Sequence, residues 1–116
     1  MQIEIFDKKE FRSWLLKNHI KEKKVELIIN KKHTKKASPS HKELLEEALC
    51  FGWIDTTIKR LDEDKFIRTF VKRNKNSKWS ENTLSYAKKL IKEKRMTSSG
   101  LIFYKEGLRK FKISLK

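Results

Sequence analysis

The sequence predicts a single α+β domain, residues 1–116, with helices packed on a mainly antiparallel sheet. Three observations point there. Apolar stripes at helical spacing, each preceded by a capping signal, alternate with short β-branched runs. Two of those runs flank an acidic turn, which is the pattern of a hairpin. No internal repeat and no Pro/Gly-rich linker divides the chain.

Gln2-Ile3-Glu4-Ile5 alternates polar and apolar residues, as a short strand does. Asp7-Lys8-Lys9-Glu10 then has the spacing of a capping box, with Phe6 and Phe11 placed as a hydrophobic staple, and a helix starts there. Phe11, Trp14, Leu15 and Ile20 form its apolar stripe. Val25 to Ile29 reads as a strand, followed by a basic loop from Lys31 to Pro39. Ser40-His41-Lys42-Glu43 is a second capping box, and Leu44, Leu45, Ala48 and Leu49 recur behind it at helical spacing. Cys50 and Phe51 fall in the last turn, while Gly52 supplies the positive φ of a C-cap.

Trp53 to Leu61 and Lys65 to Arg73 read as a hairpin turning at Asp62-Glu63-Asp64. With Ile54 opposite Val71, Thr56 opposite Thr69 and Ile58 opposite Ile67, one face is β-branched and suited to lie under helices. The other face mixes Trp53, Phe66 and Phe70 with Asp55, Lys59, Arg68 and Lys72. Ser80 is a good N-cap, Trp79 could staple onto Leu84, and a helix runs from there to about Arg95. Leu101, Tyr104, Lys105 and Leu108 suit a last helix, with Phe111, Ile113 and Leu115 left as a tail.

Apolar residues make up only 37% of the chain, but three Trp, seven Phe and two Tyr supply enough bulk for a core, which excludes global disorder. One Cys cannot form an internal disulfide, no Cys/His cluster has zinc spacing, and no leader precedes the first strand. A reducing, cytoplasmic setting without metal or other cofactor is expected. No apolar run approaches a membrane span. The net charge of +15 favours a soluble monomer and a polyanionic partner such as nucleic acid. Lys outnumbers Arg by 24 to 6, however, and base reading favours Arg, so part of the excess reads as a solvated face.

Phe11-Arg12-Ser13-Trp14-Leu15, the run ALCFGWID from Ala48 to Asp55, Leu61-Asp62, the run FVKRNKNSKWSEN from Phe70 to Asn82, Arg95-Met96 and Gly100-Leu101 carry a family pattern. In order and spacing they resemble the YdeI/OmpD-associated proteins over nearly the whole chain. Two departures stand out: Phe70-Val71 replaces the family's Thr-Pro, and Lys94 stands where the family has glycine. The resemblance is to a short form lacking the further C-terminal segment of longer members. It implies a compact two-layer α/β sandwich, and it suggests a role in bacteriocin protection or antimicrobial-peptide stress.

Cys50 is the obvious nucleophile, but it sits at the wrong end of its helix for thiolate formation and beside Phe51, which favours a packing role. His19, His33 and His41 form no triad pattern, and the three glycines form no phosphate loop, so a non-enzymatic protein is expected. The candidate anion or nucleic-acid surface is the basic loop and its flanks: Arg68, Lys72, Arg73, Lys75, Lys78, Ser80 and Asn82. Trp53, Asp55, Phe66, Phe70 and Trp79 would supply stacking or a pocket wall beside it. An alternative is a small-molecule or enzymatic site around Trp53, Asp55, Arg73 and Asn82; the plain reading of Asp55 is an ion pair with Arg68.

Overall fold

The computed structural model describes residues 1–74 and 79–114. Nine elements follow in order: β1 (Gln2–Glu4), α1 (Lys8–Asn18), β2 (Lys24–Asn30), a 3-10 turn (Lys32–Thr34), α2 (His41–Cys50), β3 (Trp53–Arg60), β4 (Lys65–Lys72), α3 (Glu81–Lys92) and α4 (Ser98–Ser114). The sheet order is β1-β2-β4-β3. β1 and β2 are parallel, because α1 carries the chain back across the sheet, whereas β2/β4 and β4/β3 are antiparallel. The α+β class therefore holds.

The caps behave as their local sequence requires. Asp7 accepts the Glu10 N–H at 2.9 Å, and Ser80 accepts that of Thr83 at 3.1 Å. Ser40 and Glu43 make the full reciprocal box. At Gly52 the φ of +79° lets the chain leave α2 and enter β3. Lys94 ends α3 in the same left-handed region, φ +62°, with the Lys94 and Arg95 N–H groups bonded to the carbonyls of Ile91 and Leu90. A lysine here accepts a conformation that glycine adopts without steric cost.

The two sheet faces are exchanged relative to the sequence expectation. Val25, Leu27 and Ile29 of β2 lie opposite Phe70, Arg68 and Phe66, and this face, with Trp53, meets the helices. Phe11 packs on Phe70 with ring centroids 5.0 Å apart, and Trp14 meets Trp53 edge-on at 5.6 Å. None of Ile28, Ile54, Ile67 and Val71 belongs to the core cluster. Large rings remove more surface from water than β-branched chains do, so the aromatic face goes inside.

The hairpin register is as expected from Trp53 to Asp55 and then shifts. Thr56 is an extra residue, so that Thr57 opposes Thr69 and Ile58 opposes Arg68. Ile20 lies beyond α1 and is 76% exposed, outside the stripe expected for it. α4 continues through Phe111 to Ser114 where a tail was expected, because Phe111 still packs against the core. Leu115 lies outside the described residues.

Candidate functional site

Burial removes the stacking platform from the expected nucleic-acid surface. Trp53 and Phe70 are fully buried beneath α1, so neither ring can receive a base. Trp79 is covered as well, meeting Tyr104 edge-on at 6.1 Å and lying so close to Gly107 that a Cβ there would strike its ring. Trp79 shares the core cluster with Leu84, its expected staple partner, and Arg73 covers it further, with the guanidinium 4.1 Å above the indole.

Arg73 is only 3% exposed, and its backbone N–H is spent on the Gly52 carbonyl. Burial pushes its guanidinium down to about 10, with the negative charge of Asp55 working against that fall; it remains a cation at neutral pH. Arg73 is thus an internal cation under Trp79, not a surface clamp for phosphate. Ser80 and Asn82 are exposed at the start of α3, with Ser80 occupied as its cap. Lys72 is half-buried at the end of β4, while Lys75 and Lys78 lie outside the described residues.

Asp55 is the point where several elements meet. Its Oδ2 lies 2.9 Å from His41 Nε2, at the start of α2, and 3.5 Å from Arg68 Nη1 on β4. The Asp55–Arg68 pair expected from the sequence is present, diagonal across the hairpin on one face. His41 joins it, which no motif spacing announces. Of the alternative site, the structure brings Asp55 into the field of Arg73 but leaves Asn82 on the outer turn of α3. Phe66 is half-buried, with the Arg68 guanidinium 6.0 Å from its centroid.

A second ionic cluster lies at the other end of α2. Glu46 and Glu47 are both buried. Glu47 pairs with Arg12 at 3.3 Å and with Arg95; Glu46 pairs with Lys89 at 3.3 Å and with Arg95 at 3.5 Å. Arg12 also donates to the Arg95 carbonyl, tying α1 to the turn after α3. Cys50 lies beside this cluster, fully buried, and desolvation raises its thiol above the ordinary value while Arg12 opposes the rise. Its backbone carbonyl accepts the Thr97 N–H at 2.9 Å, consistent with a packing role.

Among the described residues no cluster of His, Cys, Asp and Glu could hold a metal, and no helix is long and apolar enough to cross a membrane. No curated protein and no solved structure matches the chain. Its family is nevertheless defined: the chain belongs to the domain of unknown function DUF8412, whose family model matches residues 3–102.

Proposed function

We propose that the protein is a non-enzymatic binding module for a polyanion, nucleic acid first, which it holds by lysine charge and without base stacking. The supporting observation is how the cations are used. All six arginines are engaged within the fold: Arg12, Arg68, Arg95 and Arg109 with carboxylates, Arg60 with the Asp62 carbonyl and Arg73 with Trp79. Among the described residues only Lys65, Lys89 and Lys110 face a carboxylate, so the excess of +15 resides mainly in lysines open to solvent. In the sequence the basic stretch from Lys72 to Lys78 precedes α3, on which Lys88 and Lys92 are exposed.

Lysine is a point charge that holds phosphate without reading bases, so binding tolerates any sequence and weakens steeply with salt. Duplex should bind at least as well as single strands, since three of the four rings that would favour unstacked bases, Trp53, Phe70 and Trp79, are covered. Fluorescence anisotropy at two salt concentrations tests this. The Lys75→Glu/Lys78→Glu variant should lose about tenfold in affinity, and the Lys35→Glu/Lys36→Glu variant, with the same charge change elsewhere, clearly less. Equal losses would remove the loop from the reading, and salt-insensitive binding would remove the electrostatics. The resemblance to the YdeI/OmpD-associated proteins is proposed on separate grounds, supported by the left-handed backbone of Lys94 where that family carries glycine.

A further inference from the structure

Residues 93–97 fold α4 back along α3, and the two helices leave a groove of about 630 Å³ between them. Glu81, Leu84, Ser85 and Lys88 line it from α3, at i, i+3, i+4 and i+7. Tyr104, Leu108, Phe111 and Lys112 line it from α4, at i, i+4, i+7 and i+8. Each helix thus contributes one continuous stripe. Leu84 is 7% exposed and lies deepest, whereas Tyr104, Leu108 and Phe111 pack against the core and are only partly buried. The groove keeps an apolar strip that the chain itself does not cover.

Charge narrows what would cover it. Ser85 and Lys88 also line a second depression, of about 600 Å³, which reaches Ile91 and Lys92 one turn further along α3. Lys88, Lys92 and Lys112 are exposed, and among the described residues the lysines that face a carboxylate are Lys65, Lys89 and Lys110. Glu81 is the one acid among the described lining residues. A recessed apolar strip beside unmatched cations complements an amphipathic helix whose flanks carry carboxylates. A nucleic-acid backbone would use the lysines and leave the strip wet. A membrane surface would need apolar groups protruding beside the lysines. Ile102 and Ile113 do protrude, at 69% and 56% exposed, but at about 100° per residue they stand about 120–140° around α4 from Leu108.

We propose that the α3/α4 groove is a docking site for an acidic amphipathic helix of a partner protein, about three turns long to match the 12 residues of α3. Apolar side chains on one face of that helix seat on Leu84, Tyr104, Leu108 and Phe111, and its Asp or Glu side chains meet Lys88, Lys92 and Lys112. The site does not rest on the polyanion reading, which uses lysine charge and leaves the apolar strip without a role.

The probe is a fluorescein-labelled, end-blocked peptide of about 14 residues, with Leu at i, i+4, i+7 and i+11 and Glu or Ala elsewhere. One control spreads the leucines around the helix; the other replaces Glu by Lys. Titrated with the full chain, the probe should bind saturably and at least about tenfold tighter than either control. Leu108→Gln changes no charge; it should weaken the probe by at least about tenfold and leave oligonucleotide binding as it was, and Lys75→Glu/Lys78→Glu should do the reverse. Should Leu108→Gln not fold, the exposed Ser85→Glu decides, with an expected loss of at least about fivefold. The proposal is overturned if the probe binds no better than its controls, or if a folded groove variant binds it as wild type does. It is replaced by a membrane surface if phosphatidylglycerol vesicles, and not the peptide, lose binding in Leu108→Gln. It is replaced by a second copy of this chain if sedimentation shows a dimer that Leu108→Gln disperses.

Discussion

The two ends of α2 handle buried polarity in opposite ways. Towards its C-terminus, all four carboxylate oxygens of Glu46 and Glu47 face a cation drawn from α1, α3 or the turn after α3. Near its N-terminus, the Asn30 carboxamide and Arg68 Nε are buried and find nothing to pair them. A buried charge is tolerable when its partners are built in, and removing one partner then strands the rest. An unmatched group has the reverse consequence, since deleting it relieves a cost. The first arrangement holds helices together; the second carries a standing cost.

Breaking the matched end should have the largest effect. Glu47→Ala leaves Arg12 and Arg95 partly covered without their carboxylate, and because both retain some access to water the loss should be about 2–3 kcal/mol in urea denaturation. A loss below about 0.5 kcal/mol would show that the pair is worth no more than surface charges. At the unmatched end, Asn30→Leu should keep stability within about 1 kcal/mol of wild type, or raise it, by the same measurement. A loss as large as that of Glu47→Ala would erase the contrast between the two ends.

Smaller effects sharpen the picture around the matched end and the hairpin. Lys94→Gly relieves the left-handed backbone next to Arg95 and should add about 0.5–1 kcal/mol, read as a raised thermal midpoint. Asp62 accepts the N–H groups of Asp64 and Lys65, each at 2.8 Å, and the Asp64 bond foremost holds its carboxyl below the ordinary 3.8. A lowered carboxyl pKa contributes stability above the unfolded value and loses it as pH falls through the folded one. Wild type should therefore weaken from about pH 4 downward, and Asp62→Asn should flatten that part of the pH–stability curve.

What the sequence revealed was mainly local. The caps at Asp7, Ser40 and Ser80 and the turn at Gly52 each depend on three or four consecutive residues, so their patterns survive folding unchanged. The choice of buried face was not local, because both faces of the hairpin alternate equally well. Phe11 and Trp14, arriving from α1, decided it. Glu47 finds partners 35 and 48 residues away, and no spacing rule announces them. The burial of Asn30, a polar residue at the end of a strand, is likewise announced by no spacing. The aromatic residues chosen for stacking were informative about packing, since large rings on a small sheet are what a helix layer covers.

The bulge at Thr56 bears on how these molecules coexist at high concentration. β3 forms one border of the sheet; its outer half, from Thr56 through Lys59 and Arg60, is solvent-facing, and the extra residue twists it away from a flat template. The opposite border, β1, offers only three residues. Neither margin invites a neighbour's strand to add on, so crowding should leave the chains dispersed and not zipped into ribbons.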